Sequence, residues 1–142
     1  MYNVEQIEKL LTRVSELGLQ VPASFMSTPI EALCTICNGV GCEHSEHISK
    51  GLRKVLNRVM SFAICSAAIH DFCYYNSDGT EESRLKADKM FRANMLDEID
   101  GSKAFWKIFR QRIALEAYAM VRKYGRSDWC IAFAENQNRK DK

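Results

Sequence analysis

An aspartate on the apolar side of a predicted helix restricts how this chain can fold. Asp88 shares helical spacing with Leu85, Phe91 and Met95, which lie three or seven positions away from it. A carboxylate that points inward needs a partner, because an unpaired buried charge costs several kcal/mol. The nearest candidate in the predicted topology is His70, on the preceding helix. The sequence therefore predicts two neighbouring helices that are joined by a buried His70–Asp88 pair.

Helix start and stop signals recur along the chain. Asn3 can cap a first helix, and Gly18 gives its stop. Thr28-Pro29-Ile30-Glu31 has the form of a capping box with proline at the first helical position, so a short second helix is predicted to begin there. Thr80 can cap the helix that carries Asp88. A last long helix is predicted to end at Gly125.

The chain has the size and composition of one domain. It has 142 residues, of which 46% are apolar and only two are prolines, so it can bury a core without staples. We find no repeat, no low-complexity segment and no convincing strand. The sequence predicts an all-α fold: a small single-domain helical bundle over residues 1–135, with a polar tail at residues 136–142.

Charge and hydropathy limit the classes of partner and the compartment. The formal net charge of +2 is too small to favour nucleic acid, and none is expected as a partner. The N-terminus lacks a basic region followed by an apolar run, and no apolar window is long enough to cross a membrane. We therefore predict a cytoplasmic protein, although release from the cell stays open. Six cysteines do not require a disulfide framework, so mostly reduced thiols are expected, with a few bridges as the alternative.

One stretch resembles a known family. His70-Asp71-Phe72-Cys73-Tyr74, followed by Asp88 in an Ala-Asp-x-x-Phe setting, resembles the phospholipase A2 superfamily, and most of all its bacterial and phage-borne members. A cysteine a few residues upstream, here Cys65, often accompanies the motif in those members. The similarity covers residues 62–95. A His-Asp dipeptide alone has no specificity, but the added Cys-Tyr and the second aspartate make the motif moderately specific.

The resemblance implies a hydrolase with calcium as its cofactor and a phospholipid or membrane surface as its partner. His70 would be the general base that takes a proton from the attacking water. Asp88 would fix the tautomer of His70 and stabilise the imidazolium. Asp71 would bind calcium, which polarises the ester carbonyl. Tyr74, one helical turn beyond His70, is placed to hydrogen-bond Asp88.

The family also completes the calcium shell with backbone carbonyls from a glycine-rich loop. The one candidate loop contains Cys37, Gly39 and Gly41. Its position departs from the family pattern, because residues 45–70 as one straight helix would separate the loop from His70 by roughly 37 Å. The calcium loop therefore requires a turn near residues 60–62, where Ser61 could cap a new helix.

A different class of function stays open. His70 and Asp88 could be a structural ion pair in a non-catalytic binding or structural protein of a phage or mobile element, built on a phospholipase A2-like scaffold. Such a protein could hold a structural zinc, because two thiolates from a turn with nearby ligands have acceptable zinc spacing. The candidate zinc ligands are Cys34, Cys37, Cys42, His44 and His47.

The last long helix combines basic and aromatic residues. Basic positions such as Lys107, Arg110 and Arg112 would suit an enzyme that meets anionic headgroups, although a solvated surface is the commoner explanation. Its apolar residues recur at helical spacing and are expected in the core. They are Phe105, Trp106, Phe109, Ile113, Ala117 and Met120.

Overall fold

A computed structural model describes residues 2–37, 60–100 and 104–140, and within these ranges the chain is helical with no strand. The prediction of a small all-α, single-domain bundle is confirmed. The six α-helices of the described ranges are α1 (Val4–Leu17), α2 (Ile30–Ile36), α3 (Ile64–Tyr75), α4 (Glu81–Asp100), α5 (Ala104–Tyr124) and α6 (Arg126–Lys140).

Two of the predicted helix caps are confirmed, and a third helix begins where it was predicted but without the predicted cap. Asn3 forms a reciprocal capping box with Gln6 at the start of α1, and Ser83 N donates to Thr80 Oγ1 over 3.1 Å at the start of α4. At α2 the N-cap position is Pro29, which has no side chain to accept a hydrogen bond. Thr28 instead donates its hydroxyl to Ser24 O in the preceding turn, over 2.7 Å.

Helix α3 lies at the centre of the bundle. Eight of its twelve residues are buried, among them the polar Ser66 and His70. A helix that is apolar on nearly every side is stable only when neighbours cover it on more than one face. One neighbour is the α1–α2 unit, which contributes Phe25 in an edge-on contact with Phe72 at 5.1 Å. The opposite neighbour is α4.

Helices α3 and α4 form an antiparallel pair, as predicted. Side chains join the two helices near the connecting turn, in the middle and at the far end. From the turn outwards these contacts are Ser77–Ser83, His70–Asp88 and Ser66–Glu98.

Helix α3 does not extend back to residue 45, so residues 45–70 do not form one helix. Met60 is in a turn, and a single 3₁₀ turn at Ser61–Ala63 leads into α3 at Ile64. Ser61 was predicted to cap a new helix here, but it does not. The N-cap position of α3 is Ala63, which provides no side-chain hydrogen bond to the helix. Residues 45–59 lie outside the described ranges. The separation of roughly 37 Å assumed one straight helix over residues 45–70, so it does not apply.

The C-terminal segment is helical and packs on the end of α3. Trp129 Nε1 donates to Ser77 Oγ over 2.9 Å, and the buried Asn136 donates to Tyr75 O over 2.7 Å. The described part of the predicted tail therefore belongs to α6. Among the described helices none has both the length and the apolar character needed to cross a membrane.

Helix α5 differs from its predicted packing. Ile113 and Ala117 pack against the core, as expected. Trp106, Phe109 and Met120 do not, because 40–54% of each residue is exposed. Apolar residues occupy both sides of this helix, and periodicity alone cannot say which side faces the core. The side chain of Phe105 lies outside the described residues.

Candidate active site

Asp88 is the centre of a hydrogen-bonded cluster between α3, α4 and α5. It is fully buried, and its Oδ1 lies 2.9 Å from His70 Nε2 and 2.6 Å from the Tyr74 hydroxyl. Its Oδ2 accepts a hydrogen bond from Arg122 Nη1 over 2.6 Å. The predicted contacts of Asp88 with His70 and Tyr74 are therefore both present. The contact with Arg122 was not predicted.

The spacing of His70 and Tyr74 along α3 places their rings next to each other. His70 and Tyr74 are four positions apart on α3, so they lie on one face, one turn apart. The His70 ring packs between Tyr74 at 4.1 Å and Phe91 at 4.7 Å between centroids. This packing leaves the imidazole little freedom to rotate. The side chain of His70 is 9% exposed, so the ring is nearly buried.

Two arginines complete the cluster. Arg84 Nη1 lies 3.6 Å from Asp88 Oδ2, and both Arg84 and Arg122 also bind Glu81. The two negative charges of Asp88 and Glu81 are therefore balanced by the two positive charges of the arginines. Arg84 is one turn before Asp88, so helical spacing alone could have identified it. Arg122 is far away in the chain, on a basic helix face, and carries no local signal.

Tyr74 and Arg122 favour the ionised form of Asp88. Burial by itself would raise the pKa of Asp88, but hydrogen bonds from His70, Tyr74 and Arg122 outweigh it and hold the pKa below its ordinary value. Burial, and then the hydrogen bond to Asp88, raises the pKa of Tyr74. The tyrosine therefore remains a neutral donor. A carboxylate that stays charged beside an imidazole can orient the ring and stabilise its protonated form.

The predicted calcium ligand Asp71 lies near the start of the glycine-rich loop. Cys37 is buried and donates its thiol to Ala68 O on α3 over 3.4 Å. Burial, and then the charge of Asp71, raises the pKa of the Cys37 thiol. Asp71 is three positions beyond Ala68 on the same helix, so Cys37 contacts the turn of α3 that precedes Asp71. Gly39 and Gly41 lie outside the described residues.

The candidate metal ligands are only partly described. Within residues 2–37, 60–100 and 104–140, no three or more histidine, cysteine or acidic side chains are grouped so that they could hold a metal ion. Asp71 and the Cys37 carbonyl are oxygen donors of the kind that calcium prefers, but they supply only part of the six to eight ligands that it takes. Of the alternative zinc ligands, Cys42, His44 and His47 lie outside these ranges. The described cysteines, Cys34 and Cys37 among them, carry free thiols.

Gly125, between α5 and α6, makes room for the Tyr74 hydroxyl. A Cβ at this position would lie 2.6 Å from Val121 O and 3.2 Å from the Tyr74 hydroxyl. Because the nearer atom belongs to the backbone, the added methyl group must shift the helix junction. We expect Gly125→Ala to cost about 1–3 kcal/mol in the free energy of unfolding, measured by urea denaturation.

Gly18→Ala is the matched control for Gly125→Ala. Gly18 has φ of 61° and no atom within 4 Å of an added Cβ. Its substitution should cost only the backbone strain of about 1 kcal/mol and leave the Tyr74 contact unchanged. If Gly125→Ala is no less stable than Gly18→Ala, the close approach at the junction is not a packing constraint.

Comparisons with known proteins yield no relative of this chain: no family model, no curated protein and no solved structure matches it.

Proposed function

We propose that this protein is a calcium-dependent, phospholipase A2-like hydrolase of a phospholipid acyl ester, with His70 as general base. The observation that carries the proposal is the 2.9 Å contact between His70 Nε2 and Asp88 Oδ1 in a buried cluster. A histidine that is held by a charged carboxylate has one ring nitrogen committed and the other available for proton transfer. The sequence resemblance over residues 62–95 supports the same reaction.

The chemistry follows from the protonation of the imidazole. Asp88 accepts a hydrogen bond from the Nε2–H group, which leaves Nδ1 as the basic nitrogen that takes a proton from water. The water oxygen then forms a bond to the ester carbonyl carbon, and Asp88 stabilises the imidazolium. The same proton can pass to the departing alcohol when the ester bond breaks. Tyr74 and Arg122 keep Asp88 ionised through these steps.

Asp71 is the residue that we propose as a calcium ligand, because it adjoins His70 and lies one helical turn beyond Ala68, whose carbonyl accepts the thiol of Cys37 at the start of the glycine-rich loop. A bound calcium ion would supply Lewis-acid polarisation of the ester carbonyl.

A second candidate function is supported by the burial of the same cluster. Asp88 is fully buried and interacts with Arg84 and Arg122 as well as with His70. Networks of this kind also occur as purely structural links between helices. The alternative is therefore a non-catalytic binding or structural protein of a phage or mobile element, in which a structural zinc could be held by the candidate cysteines and histidines.

The deciding experiment measures fatty-acid release from phospholipid at millimolar calcium, with and without chelator. We expect His70→Gln to reduce the rate by about 10²- to 10⁴-fold while the protein stays folded. Asp71→Asn should weaken calcium binding in a titration, whereas Asp97→Asn, an exposed aspartate on α4, should not. No release by the wild type, or full activity in His70→Gln, would exclude the enzyme. Zinc without calcium in the purified protein would favour the second candidate.

A further inference from the structure

The two carboxylate oxygens of Asp88 have different partners. Oδ1 lies 2.9 Å from His70 Nε2 and accepts the Tyr74 hydroxyl over 2.6 Å. Oδ2 accepts a hydrogen bond from Arg122 Nη1, also over 2.6 Å. A carboxylate is a rigid planar group, so a partner that pulls on Oδ2 also moves Oδ1. The groups around Oδ2 therefore decide whether Oδ1 stays against His70.

A second guanidinium competes for Oδ2. Arg84 Nη1 lies 3.6 Å from Asp88 Oδ2, which is too far for a hydrogen bond. This nitrogen is buried and, among the residues that the structure describes, it has no hydrogen-bond partner. A buried donor without an acceptor is unfavourable. Movement of Oδ2 towards Arg84 would satisfy that donor.

The carboxylate of Asp88 is the part that would move. Arg84 is held in place by Glu81, which accepts hydrogen bonds from Nε over 2.9 Å and from Nη2. A shift of about 0.7 Å would reduce the separation of 3.6 Å to a normal hydrogen-bond length of about 2.9 Å. The contact of 2.9 Å with His70 tolerates only about 0.3 Å of lengthening before it leaves the normal range. A shift of this size could therefore detach Oδ1 from His70.

Arg122 opposes this shift from the other side of the cluster. It makes a short, charge-assisted hydrogen bond to Oδ2, whereas Arg84 makes none to that oxygen. Its other terminal nitrogen, Nη2, donates to Glu81 Oε1 over 3.2 Å. The guanidinium is therefore fixed at two points of α4, which a lysine with a single ammonium group cannot reproduce. The side chain of Arg122 is 27% exposed, so its replacement opens no large cavity.

We propose that Arg122 is a positioning residue that holds Asp88 against His70 and prevents Arg84 from capturing the carboxylate. The effect on ester hydrolysis rests on the proposed function. The His70–Asp88 contact itself needs neither substrate nor calcium, so the proposal can be tested without activity.

The test measures how fast the His70 Nε2 proton exchanges with water, by NMR of the full-length protein in chelator and without lipid. A ring proton that is donated to a buried carboxylate is protected from exchange. We expect Arg122→Gln to accelerate this exchange at least tenfold and Arg122→Lys to give an intermediate rate. Arg84→Gln removes the competing donor, so the rate should stay within threefold of the wild type. The matched control is Arg112→Gln, an exposed arginine of α5, which should exchange like the wild type.

A second proton in each variant separates positioning from loss of stability. The buried Trp129 indole N–H donates to Ser77 Oγ, and its exchange reports opening of the fold away from Asp88. Arg122→Gln should change the Trp129 rate by less than threefold. Equal acceleration at both rings would mean that Arg122 only stabilises the fold. If Arg122→Gln does not fold, the same comparison is made with Arg122→Lys.

Three further results would overturn the positioning proposal. They are a wild-type His70 ring proton that exchanges as fast as that of a solvent-exposed imidazole, an unchanged His70 rate in Arg122→Gln, and an equal acceleration in Arg84→Gln. The last result would mean that the two arginines act only through their charge.

Kinetics separate this inference from the proposed hydrolase. Arg122 contacts Asp88 and not the ester, so Arg122→Gln should lower kcat at least tenfold with KM unchanged. If the wild type hydrolyses no ester but shows the expected exchange pattern, the hydrolase alone fails. If the wild type hydrolyses the ester and Arg122→Gln leaves the His70 exchange rate unchanged, the positioning role alone fails.

Discussion

Asp88→Ala should lower the free energy of unfolding by about 3–5 kcal/mol, a large part of the roughly 5–15 kcal/mol that holds a typical domain folded. The substitution removes the acceptor that His70, Tyr74 and Arg122 share. It also leaves the buried guanidinium of Arg84 with Glu81 as its remaining carboxylate. Buried donors without acceptors, and a buried guanidinium that loses one of its two carboxylate partners, are the main costs. Urea denaturation followed by circular dichroism measures the change.

Two further variants separate the charge of Asp88 from its shape. Asp88→Asn keeps the volume but places an amide N–H₂ group against one of the donors, so its cost should be smaller than that of Asp88→Ala. The matched surface control is Asp97→Ala on the same helix, which should stay within about 0.5 kcal/mol of the wild type. If Asp88→Ala unfolds at the same urea concentration as Asp97→Ala, the cluster does not stabilise the α3–α4 pair.

The pH dependence of the free energy of unfolding provides a second test of the contribution of Asp88. The hydrogen bonds lower the pKa of Asp88 in the folded state below the ordinary 3.8. A depressed folded-state pKa contributes stability that is fully present above the unfolded pKa and is lost as the pH falls through the folded one. The wild type should therefore lose more stability than Asp88→Asn below about pH 4. Parallel acid profiles of the two proteins would contradict this origin of the stability.

The contacts of Asp88 with His70 and Tyr74 were predictable because each depends on local rules. A charged residue at an apolar helix position must find a buried partner, and the preceding helix offered one histidine. Tyr74 followed from the four-residue spacing on α3. The start and end of α1 followed in the same way from Asn3 and Gly18, whose effects reach only one turn.

The features that were missed depend on tertiary placement. Arg122 reaches Asp88 from a helix that no spacing rule connects with it, so the contact could not be predicted from the sequence. Phe109 and Met120 have the same helical period whether they face the core or the solvent. Thr28 fits the sequence pattern of a capping box, but its hydroxyl donates to Ser24 O in the preceding turn instead.

Glu98 is a buried glutamate that no sequence pattern singles out. Helix α3 has no side-chain cap from its own segment. Glu98, from the far end of α4, supplies the acceptor instead: its Oε2 binds Ser66 N over 2.9 Å and the Ser66 hydroxyl. Ser66 is in the first turn of α3, where backbone N–H groups lack partners within the helix. Glu98 on α4 therefore caps the start of α3, the helix that carries His70.

Glu98→Ala should cost about 2–4 kcal/mol, because it removes a cap and leaves a small cavity. Glu98→Gln keeps one oxygen acceptor for Ser66 and should cost less, and Glu8→Ala on α1 is the exposed control. Hydrogen exchange at the Ser66 amide should accelerate in Glu98→Ala more than exchange at Asn94, which is buried elsewhere on α4. Since His70 lies one turn beyond Ser66, a frayed α3 start would also loosen the His70–Asp88 contact. Unchanged Ser66 exchange would mean that α3 holds its first turn without Glu98.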